Sequence, residues 1–167
     1  MSGEVNLTEQ NMEIIVKALD EYESQCGLPA ASSPCPGDEL NEYLSMDRHA
    51  LEVLSAEDCG QISYRLGQSA LYIQRSINRE EARIVWSETS LQEIVNKDVN
   101  TFDKFVKYEV RVASIIAKSE PAAKLTEITS YAKQRVKRLT YIATSLKNLS
   151  DIMLANQRSK YYGQRQA

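Results

Sequence analysis

No glycine occurs between Gly67 and Gly163, and Pro121 is the one proline inside that span. Glycine and proline are the commonest punctuation of loops, so a stretch this long without them has few places to turn. Helix is the state it can hold. Gly and Pro number 6 and 4 in all, and the alternating runs of Val, Ile and aromatics that mark strands are missing. The expected fold is therefore all-α. With 167 residues, 43% of them hydrophobic, the chain can supply one domain's core. The expected architecture is a long antiparallel helical hairpin, a coiled-coil-like bundle, preceded by a short N-terminal helical arm.

The arm is legible from its spacing. Thr8 is a good N-cap, and Met12, Ile15, Leu19 and Tyr22 follow at steps of three and four, an apolar face that Gly27 ends. The segment GLPAASSPCPGD, Gly27 to Asp38, holds three prolines and two glycines and reads as a linker. Two regions are expected on this basis: residues 1–38, an acidic helix and its linker, and residues 39–167, the helical body. From Glu39 to Leu54, one or two short helices would make apolar contacts through Leu40, Tyr43, Leu44, Leu51 and Leu54.

Ser55 and Asp58 form a capping box with Asp in place of Glu, the start signal of the first long helix. Its inward positions Cys59, Ile62, Leu66, Ser69 and Ile73 step by three and four, and Ile77, Ile84 and Leu91 by seven, to about Asn96. NKDVNT then loosens the pattern. Phe102, Phe105, Tyr108, Val112 and Ile115 define a further helical face, either a continuation or a new helix capped by Thr101. Ser119 and Pro121 restart the chain as a last helix, since proline fits the first helical turn.

That last helix carries the most information. Leu125, Ile128, Ala132, Arg135, Leu139, Ile142, Leu146, Leu149 and Met153 follow a three-four rhythm, the seam of a coiled coil or hairpin. Arg135 is its single charged member, and a charge there needs a partner or an oligomer axis, where it would set register. Trp86, on the first long helix, is expected to anchor the core or an interface. With Leu125 at heptad position a, Lys133, Lys137 and Tyr141 fall at b, f and c, one outward stripe, with Arg138 beside it at g. Lys147, Arg158, Lys160, Tyr161 and Tyr162 extend this surface.

Charge is segregated along the chain. Residues 1–60 hold 13 acids against Lys17 and Arg48, a net of −11, whereas residues from Pro121 onward hold nine bases against Glu127 and Asp151, a net of +7. The whole chain is −3. Basic residues on a helix face commonly do no more than solvate it. Here the local excess has few acids to neutralise it, and cations alternating with rings suit single-stranded nucleic acid, where backbone charge and base stacking are both met. Lys133, Lys137, Arg138, Tyr141, Lys147, Arg158, Lys160, Tyr161 and Tyr162 are the candidate contacts. The mixed signs of IQRSINREEARIVW, with Arg75, Arg79, Glu80, Glu81 and Arg83, read as a solvated face with intrahelical ion pairs.

Other classes are disfavoured. His49 is the only histidine, and no phosphate loop, GxSxG or HExxH is present, so catalysis is not expected. Cys26, Cys35, His49 and Cys59 would number four zinc ligands, but their separations of nine, fourteen and ten lack the short knuckles of structural sites; free thiols are expected, with no metal and no cofactor. No apolar run approaches the roughly 18 residues of a membrane span, and MSGEVNLTEQ has no secretion-signal pattern. A cytoplasmic location is expected, the host's cytoplasm if the chain is phage-encoded.

The order of these segments carries a resemblance. LNEYLSMDRHALEVLSAEDCGQISYRLGQSALYIQRSINREEARIVWSE, followed by YAKQRVKRLTYIATSLKNLSDIMLANQRSKYY, resembles small helical phage proteins and looks most like the UvsY-type recombination mediators of tailed phages. It spans roughly Leu40 to Tyr162 and is one of pattern: helix order, a Tyr/Leu-rich middle helix, and a terminal helix followed by basic residues. The acidic arm and the proline-rich segment depart from it. The resemblance implies a ring-forming protein that binds single-stranded DNA and helps load a recombinase onto strands covered by a single-strand binding protein. The expected function is thus a non-enzymatic, homo-oligomeric mediator of phage recombination or replication. The alternative is a protein-interaction or assembly module, a phage structural component or an inhibitor, acting through the acidic N-terminal region.

Overall fold

The computed structural model describes residues 3–26, 37–102 and 105–164, and among them every regular element is helical. In chain order these are α1 (Gly3–Gln25), α2 (Gly37–Ser45), α3 (Arg48–Val53), α4 (Ala56–Asp98), a 3-10 turn at Val99–Thr101, α5 (Tyr108–Lys118) and α6 (Glu120–Gln164). The fold is an all-α hairpin in which α4 packs against α6. The chain forms two compact units, one from Met1–Leu28 and Ile77–Lys137, the other from Pro29–Ser76 and Arg138–Ala167. The expected linker, Gly27 to Asp38, lies outside the described residues except for Gly37 and Asp38, which open α2.

Local signals set the starts of α3, α4 and α6, whereas α1 runs from Gly3 and Thr8, expected as its N-cap, lies inside the helix. The Ser55 Oγ accepts a hydrogen bond from the Asp58 N–H at 3.0 Å, and the Asp58 carboxylate accepts from the Ser55 N–H at 3.1 Å and from its hydroxyl at 2.6 Å. This is the reciprocal capping box. These bonds favour the charged carboxylate and hold Asp58 below its ordinary range. Asp47 caps α3 by accepting from the Ala50 N–H at 2.8 Å. Ser119 ends α5 through its N–H to the Ile115 carbonyl at 2.9 Å and begins α6 through its Oγ, which accepts from the Ala122 N–H at 3.4 Å. One residue therefore makes the whole corner between the two helices.

The aromatic residues after α4 behave differently from the expected helical face. Thr101 ends the 3-10 turn instead of capping a helix, and α5 begins only at Tyr108, so Phe102 and Phe105 precede it. Phe105 is 96% exposed. Phe102 has another use: the Lys118 ammonium lies 5.5 Å from its ring centroid.

The buried positions of α6 reveal its register. Ala122, Leu125, Thr129, Ala132, Ala143, Leu146 and Met153 are buried, and Val136, Leu139 and Ser150 are half-buried between them. These positions step by three and four without a break, which is a heptad seam. It keeps the expected Leu125, Ala132, Leu139, Leu146 and Met153 but pairs them with a different row. Ile128 and Leu149 are half-buried flanks, Ile142 and Arg135 are exposed, and the places assigned to them belong to Thr129, Val136, Ala143 and Ser150. On α4 the expected positions Cys59, Ile62, Leu66, Ser69 and Ile77 are buried, with Ile73, Ile84 and Leu91 half-buried. Trp86 is half-buried outside this seam.

In the unit containing the start of α4 and the end of α6, Ile62, Leu66, Leu146 and Met153 form the core. Leu40, Tyr43, Met46, Leu51 and Leu54, from α2, α3 and their ends, pack over it. Leu44, expected among them, is exposed. The two long helices are antiparallel here, for Gly60 faces Gln157 while Ser63 faces Ser150. The Ser63 hydroxyl donates to the Ser150 carbonyl at 2.9 Å and the Ser150 hydroxyl to the Ser63 carbonyl at 2.8 Å, so each hydroxyl's one proton is used on the opposite backbone. Small residues make this approach feasible. A Cβ added at Gly67 would lie 3.7 Å from the Ser150 Oγ, and one at Gly60 would displace the end of the Gln157 side chain.

The other unit is held differently. Ile77, Val95, Ile115, Ala122, Leu125 and Ala132 are its buried apolar residues among the described ones, and the Ser87 and Thr129 hydroxyls meet at 2.7 Å inside it. Glu80, with 15% of its side chain exposed, accepts from Arg135 at 2.9 Å and Arg83 at 3.0 Å. Lys133 reaches Glu88 at 2.7 Å, and Arg79 ties α1 down through Asp20 at 2.9 Å. The stretch from Arg75 to Arg83 is thus more than a solvated face with intrahelical pairs: it carries pairs to α1 and α6. The apolar face expected to bury α1 is only partly covered, since Leu19 and Tyr22 are exposed and the side chain of Met12 lies outside the described residues.

Candidate nucleic-acid interface

With the seam fixed by burial, Leu125 takes position d instead of a. The outward face of α6 then consists of positions e, b and f, a continuous arc of the helix. In the unit built on Arg138–Ala167, this arc presents Tyr141, Lys147, Arg158, Tyr161 and Tyr162, all exposed, with Arg138 exposed beside it. Tyr141 is 75% exposed. From Tyr141 to Tyr162 the helix rises about 30 Å at roughly 1.5 Å per residue, enough for several nucleotides.

None of Arg138, Lys147 and Arg158 makes an ion pair among the described residues. The acids of this unit are concentrated on α2, α3 and the start of α4, where Glu39 pairs with Arg65 and Glu52 with Arg48. Asp151 is the exception, an exposed carboxylate on the same arc between Lys147 and Arg158. The α6 cations therefore keep most of their field for an outside anion.

Lys160 is set apart from this group. It falls on the seam side at position d, and its ammonium donates to the Glu52 carbonyl at 2.8 Å, where a cation at the end of α3 meets the negative end of that helix. In the other unit, Lys137 is exposed while Lys133 is engaged by Glu88. The nine expected contact residues thus divide: five line one arc with Arg138 at its edge, Lys137 lies in the other unit, Lys133 is already paired, and Lys160 fastens α3.

Among the remaining candidates, Cys59 is fully buried, Cys26 and His49 are exposed, and Cys35 lies outside the described residues. Arg165 also lies outside them. Among the described residues no three His, Cys, Asp or Glu side chains are grouped to hold a metal ion, and no helix is long and apolar enough to cross a membrane. Sequence reasoning missed Glu80 as the acid that meets Arg135. The available signal was position: Glu80 is the one acid on the seven-residue row Leu66, Ile73, Glu80, Ser87 of α4. Comparison with known protein families, curated proteins and solved structures finds no match for this chain.

Proposed function

We propose that this protein is a non-enzymatic, self-associating factor that binds single-stranded nucleic acid along the outward face of α6, as an accessory of recombination or replication. One observation carries the reading: Arg138, Lys147 and Arg158 are exposed, make no ion pair among the described residues and are interleaved with the exposed rings of Tyr141, Tyr161 and Tyr162. Cations track phosphates and rings stack on bases, and the combination needs no sequence readout. The mediator role, with a recombinase and a single-strand binding protein as partners, is what the resemblance to UvsY-type proteins implies. Repetition of a weak basic face in an oligomer raises affinity without any strong single site.

The test is fluorescence polarisation of labelled oligo-dT and a matching duplex across a salt series, with light scattering on the same samples. Salt-sensitive binding that prefers the single strand is expected. Reversing Arg138, Lys147 and Arg158 to Glu removes three phosphate contacts, which lowers the slope of log K against log salt by about 2, at roughly 0.7 per contact. No polarisation change at low salt sinks the reading. A protein-interaction role is favoured by a separate observation, that acidic α1 leaves Ile14 and Tyr22 exposed on its surface. Loss of function on deleting residues 1–38, with the α6 reversals silent, selects it.

A further inference from the structure

The chain between α4 and α5 carries a second combination of rings and cations, in the unit built on Met1–Leu28 and Ile77–Lys137 and so in a different unit from the α6 arc. Phe105, at 96%, is the most exposed large hydrophobic residue among those described, and Val106, Tyr108 and Val110 are exposed after it. One exposed apolar side chain needs no explanation, but four within six residues, rimmed by charge, are the composition of an interaction site.

The charges indicate what would occupy it. From Phe105 to Lys118 the chain has three bases, Lys107, Arg111 and Lys118, and one acid, Glu109. The bases step by four and seven, which places them on one side of α5. None of the three makes an ion pair among the described residues. Their neighbours are neutral: the Arg111 Nη1 donates to the Val99 carbonyl at 3.4 Å, its guanidinium carbon lies 5.8 Å from the Tyr108 ring centroid, and the Lys118 ammonium lies 5.5 Å from that of Phe102. The Arg111 Nε is buried and has no hydrogen-bond partner. Rings and carbonyls hold these cations in place without cancelling their charge, which is left for an outside anion. A ligand that offers phosphates to the cations and flat bases to an exposed ring along one chain is a single-stranded nucleic acid. A duplex keeps its bases stacked inside and has none to offer Phe105.

We infer that this segment is a second strand-binding site, at which Phe105 stacks on a base while Lys107, Arg111 and Lys118 hold the flanking phosphates. The inference rests on the nucleic-acid reading above and extends it: one chain offers a strand two surfaces, one in each unit, and the affinity draws on both.

The experiment is the oligo-dT polarisation titration of the full chain across a salt series, for wild type, Phe105→Ala, Lys107→Gln and, as an exposed apolar control on α4, Leu71→Ala. Phe105→Ala is expected to raise the dissociation constant by roughly fivefold to a hundredfold, the range for loss of one stacked base. Lys107→Gln is expected to lower the slope of log K against log salt by about 0.7, and Leu71→Ala to change neither. Oligo-dT carrying iodouracil in place of some thymines, irradiated on wild type, is expected to give cross-linked peptides that contain Phe105 or Tyr108 as well as peptides of α6. Cross-links confined to α6, with Phe105→Ala binding as wild type does, overturn the second site and leave the first. Cross-links confined to the segment between α4 and α5 keep this site and remove the α6 reading instead. A Phe105→Ala protein that keeps its oligo-dT affinity but no longer sediments with phosphatidylserine vesicles, or no longer self-associates in light scattering, overturns the assignment to nucleic acid. No polarisation change with wild type at low salt sinks both sites.

Discussion

The two compact units use the same pair of helices and hold them together by different means. Around Ser63 and Ser150, close approach of small residues is reinforced by Leu66, Leu146, Ile62 and Met153 under the cover of α2 and α3. Around Ser87 and Thr129, ion pairs flank the seam: Glu80 with Arg135, Glu88 with Lys133, and Arg79 with Asp20. A dispersion-packed seam depends on shape and is indifferent to salt, whereas a seam flanked by half-exposed charges weakens as ions screen it. One helical hairpin can therefore present a firm end and an ion-sensitive end.

The comparison breaks most visibly at Leu66. It is 1% exposed, and Leu66→Ala should cost about 2–5 kcal/mol, read as a lower urea midpoint at constant slope. The loss should be the same in low and high salt. A loss that shrinks as salt rises would remove the distinction between the two units.

A smaller effect is expected at Glu80. Replacing it with Gln leaves Arg135 and Arg83 without their carboxylate, and because both arginines are partly exposed the loss is discounted to about 1 kcal/mol. Its signature is salt dependence: the difference from wild type should fade in high salt. An equal difference at all salt concentrations would mean that packing, not charge, is what Glu80 supplies.

Gly67→Ala should act in the opposite direction. The added methyl makes an ordinary contact at 3.7 Å, and the helix interior gains up to about 0.8 kcal/mol in propensity, raising the melting temperature slightly. Destabilisation would show that the serine clamp needs still closer backbones than the contact at Ser150 allows.

The smallest effect is at the capping box. Asp58 titrates below its ordinary value of 3.8 because Ser55 bonds to its charged form. Its contribution is therefore fully present above the unfolded value and is lost as pH falls through the lower folded value. Ser55→Ala should move the Asp58 titration upward, toward 3.8, in an NMR pH series. An unmoved titration would show that the hydroxyl of Ser55 is not what shifts it.

The helix starts at Ser55 and Ser119 and the length of α4 were legible because their causes are local: a hydroxyl three residues before the N–H it accepts from, a proline in a first turn, a span without glycine. The α6 face was legible in part. Tyr141, Lys147 and Arg158 point outward in either register, since residues that far from the seam stay in solvent when it rotates by one position. Lys160 was not legible, because the carbonyl it serves belongs to Glu52, far away in sequence.

The sequence by itself determined that the chain is helical, where the two long helices α4 and α6 begin, and which five positions of α6, from Leu125 to Met153, face inward. It did not determine their companions. Leu125, Ala132, Leu139, Leu146 and Met153 can pair with Ile128, Arg135, Ile142 and Leu149 on one side or with Thr129, Val136, Ala143 and Ser150 on the other. Hydrophobicity within α6 favours the first row. The tertiary structure chose the second because the choice is made by the opposing helix: Gly60, Ser63, Gly67 and Ala70 on α4 admit close backbones and matched hydroxyls, and bulky Ile142 and Leu149 would hold the helices apart.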